Sequence, residues 1–315
     1  MKIVILDSDT VSTGDLSFSD FTKFGAIIRY EMTEDCRVIE RIRDAEIVLC
    51  NKTPITREVM EASQKLKYIG LFATGCNNID LDCAKEKGIV VSNVPGYSTD
   101  GVAQLTFSFI LELYGNLSEY RNSVNRGEWK RSLVFSYFPY PISVLSGKTM
   151  GIIGYGEIGK RVAKIANAFG MKVLVNTRTP KVDETVEFVD FDTLLAESDI
   201  VSVHCPLNSS SEKLMNAESF SKMKDNAVFI NTARGPIVDE YALRDALISG
   251  KLLGAGLDVL EREPMSADCP LYNIKNCIIT PHIAWAALET RKRLLEIAAE
   301  NVAAFIGGTP KNRVV

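Results

Sequence analysis

The sequence predicts an α/β protein of two doubly wound parallel-sheet domains, flavodoxin-like in the N-terminal half and Rossmann-type in the C-terminal half. Three observations lead there. Short apolar runs alternate with amphipathic helical stretches along nearly the whole chain, the order that builds a parallel sheet covered by helices on both faces. A long helical pattern interrupts this alternation near residues 95–100, and it restarts at Lys148. The 315 residues are enough for two domains of about 100–200 residues each.

In the first series the apolar runs Lys2–Leu6, Ile47–Cys50, Tyr68–Phe72 and Ile89–Val91 predict strands. Helical spacing at Glu34–Asp44, Thr56–Ser63 and Leu81–Lys87 fills the intervals. Ser98–Tyr120 reads as one long helix opened by Ser98-Thr99-Asp100, and the aromatic stretch Trp129–Pro141 reads as loop. The second series predicts strands at Thr149–Ile153, Lys172–Val175, Ile200–Val203, Ala227–Asn231, Leu253–Leu257 and Cys277–Ile279. A final helix, Ala286–Ile306, ends at Gly307-Gly308 and is expected to return to the first domain. The expected division is residues 1–98 plus 289–315 for one domain and 99–288 for the other.

Composition narrows the chemistry. Against 40 acidic residues stand 36 Lys and Arg, for a net charge of -4, so there is no electrostatic reason to expect nucleic acid. Seven scattered cysteines without a C-x-x-C pair point to packed thiols in a reducing, cytoplasmic compartment. The apolar start before Asp7 is too short for a signal peptide, and Val102–Gly115 too short for a membrane span. With only two histidines, a multi-histidine metal site cannot be built, and histidine catalysis must use His204 or His282.

The strand Thr149–Ile153 leads into Gly154-Tyr155-Gly156-Glu157-Ile158-Gly159 and then a helix. A G-x-G-x-x-G run alone is weak, but a strand-to-helix turn is the context it needs. Gly154 permits the tight turn, Gly156 lets backbone approach a pyrophosphate, and Gly159 lets the helix sit close to the sheet. The helix N-terminus offers N–H groups to the anion. An acid about 20 positions on would hold the adenosine ribose, yet the next strand ends in Asn176-Thr177-Arg178. That neutral end beside an arginine favours NADP(H). In the NAD(H) reading Arg178 is merely solvated and Asn176 or Thr177 bonds a ribose hydroxyl.

Three more segments fall at strand C-termini, where open α/β sheets bind ligands. They are Asn231-Thr232-Ala233-Arg234-Gly235, the run from Gly256 through Asp258 to Glu263-Pro264, and Thr280-Pro281-His282-Ile283-Ala284-Trp285. An arginine, a glutamate and a histidine thereby converge on one sheet edge. A guanidinium fork suits a carboxylate, a histidine titrates near neutral pH, and a neighbouring carboxylate favours its protonated form.

With Ala73-Thr74-Gly75-Cys76-Asn77, Asn93-Val94-Pro95 and His204-Cys205-Pro206-Leu207, these motifs resemble, in order and over essentially the full length, the NAD(P)-dependent D-2-hydroxyacid dehydrogenases. The glycerate dehydrogenase or hydroxypyruvate reductase branch is the most similar, with Trp285 after His282 as one sign. The resemblance implies an oxidoreductase passing hydride between NAD(P)H and a small 2-keto acid, hydroxypyruvate or glyoxylate. Arg234 would bind the substrate carboxylate, His282 would exchange the proton, and Glu263 would orient His282. Cofactor contacts are implied for Cys205, Pro206, Thr232, Ala233, Asp258, His282 and Trp285 beside the glycine turn. Substrate contacts are implied for the loop Thr74-Gly75-Cys76, and a homodimer for the assembly. His204 reads as a core or supporting residue.

Two rivals remain at this stage. A phosphoglycerate dehydrogenase would need a cluster of basic residues for the substrate phosphate, which is not evident in the first series. The chain stops nine residues after Ile306, so the regulatory domain of that group's long members is not expected. A non-catalytic, NAD(H)-sensing protein of the same fold is the other; the presence of Arg234, Glu263 and His282 argues against it.

Overall fold

Residues 1–179 and 182–315 are described by the structure, a computed structural model. The chain divides into two units: Met1–Ser98 with Trp285–Val315, and Thr99–Ala284. The second crossing thus falls at Trp285, ahead of the residue 289 read from the sequence.

In the first unit, β1 (Lys2–Ile5), β2 (Ala26–Arg29), β3 (Ile47–Cys50), β4 (Tyr68–Leu71) and β5 (Val90–Ser92) form a parallel sheet in the order β2-β1-β3-β4-β5. This is the flavodoxin-like order. Both faces are covered, so the inner strands are free of charged side chains after Lys2 at the start of β1. Alternate side chains of β1 divide between the faces: Val4 joins Val48 and Ile69, whereas Ile3 and Ile5 join Leu49 and Tyr68. The edge strand β2 escapes the sequence reading because most of its side chains are exposed, leaving no two-sided apolar run to mark it.

The first face is covered by α1 (Val38–Ile42), α2 (Arg57–Glu61) and α3 (Leu81–Glu86), through Val38, Ile42, Met60 and Cys83. All three are shorter than their apolar periods suggest, and residues 35–37 form a 3-10 turn instead. Thr56 and Asp80 set the starts of α2 and α3 by accepting from the Val59 and Cys83 N–H groups.

The second unit opens with α4 (Thr99–Gly115) and α5 (Leu117–Asn125), where the sequence suggests a single helix. Asn116 takes a left-handed conformation, φ 50°, which ends α4. Its amide donates to the Pro141 carbonyl, and the Glu112 carboxylate accepts from the Ser118 N–H at the start of α5. The apolar period runs through Gly115-Asn116 and hides this break.

The strands that follow are β6 (Thr149–Ile153), β7 (Lys172–Asn176), β8 (Glu187–Phe188), β9 (Ile200–Val203), β10 (Ala227–Asn231), β11 (Leu252–Leu257) and β12 (Cys277–Ile279). They pair in parallel in the order β12-β11-β10-β9-β6-β7-β8, a Rossmann-type sheet whose order reverses between β6 and β9. On one face α4 and α6 (Glu157–Ala168) bury Phe107, Ile110, Val162 and Ala166 against Met150, Ile152 and Ile230. On the other, α7 (Phe191–Glu197), α8 (Ala217–Lys222) and α9 (Glu240–Ile248) bury Leu194, Phe220 and Leu243 against Val201 and Phe229. Full burial of each such side chain is worth about 1.5–3 kcal/mol.

After Trp285 the chain rejoins the first unit, where α10 (Leu288–Ile306) covers the second face of its sheet with Leu294, Ala298 and Val302. Among the described residues no helix is long and apolar enough to cross a membrane. The same residues hold no cluster of His, Cys, Asp and Glu suited to a metal ion.

Candidate active site

The segments singled out in the second half lie at the carboxyl ends of the Rossmann-type strands, mostly within that unit. At the end of β6, Gly154 has φ +96° and donates to the Asn176 carbonyl at 2.8 Å. A Cβ there would come within 2.6 Å of the Cys205 nitrogen, so only glycine allows the two strand ends to approach. A Cβ on Gly159 would strike the Gly154 carbonyl oxygen, so the helix lies directly on the turn. Gly156 differs: a Cβ there would meet nothing within 4 Å, and no side chain caps the start of α6. Open space in front of uncapped helical N–H groups suits a pyrophosphate. Tyr155 turns inward and is buried, Ile158 packs on the core, and the Glu157 carboxylate pairs with Lys160 at 2.9 Å.

Beside that turn, the Asn176 amide donates to the Val189 carbonyl at 3.1 Å, Thr177 is half-buried and Arg178 is exposed. At the end of β9, the His204 N–H donates to the Ile153 carbonyl at 2.7 Å, and its Nε2 meets the Ser202 hydroxyl at 2.8 Å. Burial pushes the His204 imidazole down to about 3, so it is neutral at working pH. Burial raises the Cys205 thiol, and the nearby Arg178 charge opposes the shift. Pro206 is exposed, with its carbonyl accepting from the Ser211 hydroxyl.

The arginine, glutamate and histidine are held by the neighbouring strand ends. Buried Asn231 closes the turn after β10: its Oδ1 accepts from the Ala233 N–H at 3.0 Å, and its Nδ2 donates to the Arg234 carbonyl at 2.9 Å. Thr232 is buried, its hydroxyl 3.3 Å from that of Thr106 on α4. Half-buried Arg234 donates from Nη1 to the Ala233 carbonyl at 2.6 Å.

Glu263 is bound at both oxygens. Oε1 accepts from the Leu260 N–H at 3.1 Å, and Oε2 lies 2.7 Å from His282 Nδ1. Buried Asp258 organises the His282 turn from below, accepting from the Thr280 hydroxyl at 2.6 Å and from the Ile283 and Ala284 N–H groups at 2.8 Å each. Burial raises the Asp258 carboxyl, and these donors oppose the shift. His282 itself sits at φ 55°, a strained conformation for a residue with a Cβ, and one that Asp258 fixes from both sides.

Comparison with known proteins gives the family of the chain. The family described as D-isomer specific 2-hydroxyacid dehydrogenase, NAD binding domain, matches residues 107–284. The chain is 44% identical over 320 aligned residues to a hydroxypyruvate reductase of Blautia hydrogenotrophica, covering 100% of this chain and 99% of that one. It is 39% identical to a glycerate dehydrogenase of Methylorubrum extorquens, covering 99% and 98%. The chain belongs to the D-isomer specific 2-hydroxyacid dehydrogenases.

A solved member from Sinorhizobium meliloti, an NADPH-dependent glyoxylate/hydroxypyruvate reductase in complex with NADP and malonate, is similar at a TM-score of 0.86 and 28% identity, covering 100% of this chain and 96% of that one. The reading of an NAD(P)-dependent dehydrogenase with a Rossmann-type second half is thereby established.

In the dehydrogenase's first unit, the loop Thr74-Gly75-Cys76 follows β4. The Thr74 hydroxyl donates to the Val94 carbonyl at 2.8 Å, and the Asn93 amide donates to the Thr74 carbonyl at 2.7 Å. Among the described residues the Gly75 and Cys76 N–H groups carry no acceptor. Asn78 ties this loop to the Thr53 carbonyl at 2.9 Å. Buried Asp7 in turn holds the Asn51, Lys52 and Thr53 N–H groups at 2.7–2.8 Å. Trp285 packs against the apolar cluster of this same unit.

Sequence reasoning assigns Asp258 to the cofactor, whereas the structure engages its carboxylate with the His282 turn. It gives Asn231, Gly235 and Asp7 no role of their own. The signal for Asn231 and Asp7 is a polar residue immediately after, or closing, a fully apolar strand, a place where an unbonded polar group is costly.

Proposed function

We propose that the protein is an NAD(P)-dependent D-2-hydroxyacid dehydrogenase acting on hydroxypyruvate/D-glycerate or glyoxylate/glycolate. The observation that carries this reading is the 2.7 Å bond between Glu263 Oε2 and His282 Nδ1, next to the arginine-bearing turn of β10. With Nδ1 taken, Nε2 is the nitrogen left to exchange a proton with the substrate oxygen. In reduction His282 donates that proton as the carbonyl becomes a hydroxyl; in oxidation it accepts it back. The nicotinamide, when bound, supplies or takes up the hydride at C2. Arg234 binds the substrate carboxylate, and its fixed positive charge polarises the neighbouring carbonyl. The Gly75 and Cys76 N–H groups are assigned to the substrate carboxylate on the family resemblance, with Thr74 shaping their loop.

For the cofactor, Gly154, Gly156 and Gly159 supply the turn, and the first N–H groups of α6 hold the pyrophosphate, flanked by Tyr155, Glu157 and Ile158. Asn176, Thr177 and Arg178 read the adenosine ribose; Cys205, Pro206, Thr232, Ala233, Asp258 and Trp285 complete the proposed set with His282. NADP(H) is preferred, supported by exposed Arg178 at a strand end without an acid and by the NADP-bound Sinorhizobium meliloti reductase.

A homodimer is proposed on the apolar arm after α5, where Leu133, Phe135 and Phe138 are 102%, 91% and 77% exposed. So much exposed apolar surface in one segment suits a second copy of the chain, and sedimentation at micromolar concentration tests it. Seven cysteines, none in a disulfide, support a cytoplasmic location.

The deciding experiment is NADH and NADPH oxidation with hydroxypyruvate, glyoxylate, pyruvate and 3-phosphohydroxypyruvate. Turnover is expected with the first two. Cofactor binding without turnover of any would move the reading to a dinucleotide sensor, and a strong preference for the phosphorylated acid would make it a phosphoglycerate dehydrogenase.

A further inference from the structure

Tyr155 occupies the second position of G-x-G-x-x-G, yet its side chain does not point at the space in front of Gly156. The ring is buried, 7% exposed, and meets Phe188 of β8 edge-on, with centroids 5.5 Å apart and planes at 89°. Its hydroxyl donates to Asp183 Oδ2 at 2.6 Å. Asp183 lies in the connection between β7 and β8, the segment that follows the strand end assigned to the adenosine ribose. Its other oxygen accepts from the Thr185 N–H at 3.0 Å and the Thr185 hydroxyl at 2.6 Å. From α6, the Asn167 amide reaches the Thr185 carbonyl at 3.0 Å. The Thr185 hydroxyl, then Tyr155, hold the Asp183 carboxyl below its usual range, as expected for a carboxylate whose donors all favour the charged form.

We propose that the Tyr155–Asp183 hydrogen bond is a positioning clasp for the dinucleotide, tying the pyrophosphate turn to the adenosine-side wall, and that Asp183 does not itself bind the ribose. This deepens the cofactor assignment above and rests on it. Asp183 is the first acid along the chain after the neutral strand end, and it is therefore the natural candidate for the missing ribose acceptor. Both its oxygens are already committed to donors of the protein, and one of those donors comes from the pyrophosphate turn. Breaking the bond loosens two parts of one binding surface at once, so the loss falls on dinucleotide affinity and not on the chemistry at His282.

The test uses the full chain carrying Tyr155→Phe, Asp183→Asn or both. Dissociation constants for NADPH and NADH come from fluorescence titration, and kcat and KM from turnover. Each single variant is expected to weaken both dinucleotides about three- to tenfold, the range for the net contribution of one ordinary hydrogen bond. The double variant should be no weaker than the worse single one, because both substitutions remove the same bond, and the rise in Kd and in KM for the dinucleotide should exceed any fall in kcat. Unchanged affinity in Tyr155→Phe overturns the proposal. So does multiplication of the two effects in the double variant. A third overturning result is weakening of NADH but not NADPH by Asp183→Asn alone, which would make Asp183 the ribose acceptor. Asp183→Asn lies near the surface and guards against a folding defect in Tyr155→Phe, with thermal unfolding of both as the check. Because binding is read without turnover, a chain that binds both dinucleotides but reduces no keto acid would sink the catalytic reading and leave the clasp standing.

Discussion

Gly235 and Leu260 meet backbone to backbone, with no room for a side chain between them. A Cβ on Gly235 would fall inside the Leu260–Glu261 peptide. Gly235 follows Arg234 directly, and the Leu260 N–H donates to Glu263. The contact therefore joins the turn that carries the arginine to the one that carries the glutamate and, through it, His282. Gly235→Ala is expected to separate the two turns, costing about 1–3 kcal/mol of stability by overpacking and at least about 10²-fold in kcat/KM through misplacement. Steady-state kinetics with a melting curve checks this; near-native kcat/KM in a folded variant would refute the coupling.

His282→Ala should lower kcat by about 10²–10⁴-fold, the usual contribution of a positioned acid–base group. Glu263→Gln keeps the shape but removes the charge that orients His282, and a smaller loss in kcat is expected. The proton-transfer assignment fails if His282→Ala retains most of the activity.

Asp258→Ala would strand the Thr280 hydroxyl and the Ile283 and Ala284 N–H groups. Unsatisfied buried partners of this kind cost about 1–3 kcal/mol, and releasing the turn should reduce kcat even in molecules that remain folded. Denaturant unfolding and kcat, measured on the same preparation, separate the two effects. A stability loss with unchanged kcat would mean that Asp258 does not position His282.

Arg178→Ala is expected to raise KM for NADPH about tenfold or more while leaving KM for NADH within about twofold, since a guanidinium pairs with the 2′-phosphate that only NADPH carries. An equal effect on both cofactors removes Arg178 from the selectivity argument.

His204 predicts an acid limb in stability. Its imidazole is depressed to about 3 in the folded chain against an ordinary 6.5, so below 6.5 the unfolded chain takes up a proton that the folded one refuses. Stability from this group is complete above pH 6.5 and falls as the pH drops toward 3, by at most about 1.4 kcal/mol per pH unit. His204→Gln should flatten the loss of Tm between pH 7 and pH 5 relative to native. Parallel curves would show that His204 is solvated.

Much of this molecule is legible along the chain because the relevant physics is local. A strand buried on both faces must be apolar save where a polar side chain finds a partner, as Ser202 and Asn231 do, which is why Ile200–Val203 and Ala227–Asn231 stand out with correct ends. A glycine-rich turn between strand and helix states its own purpose through the sizes of Gly154 and Gly159. The edge strands β2 and β8 leave no such mark, since exposure removes the requirement, and the break at Asn116 hides inside a continuous apolar period.

Arg234, Glu263 and His282, the proposed catalytic set, are likewise readable as chemically apt residues at successive strand ends. Their supports are not. That Asp258 serves the His282 turn, that Gly235 backs onto Leu260, and that Tyr155 turns inward to Asp183 are relations between residues up to 28 positions apart. Periodicity reports which face of an element is buried; it does not report which donor meets which acceptor once the strands are laid side by side. That pairing is set by sheet order and by the close packing it imposes, and so it belongs to the folded chain alone.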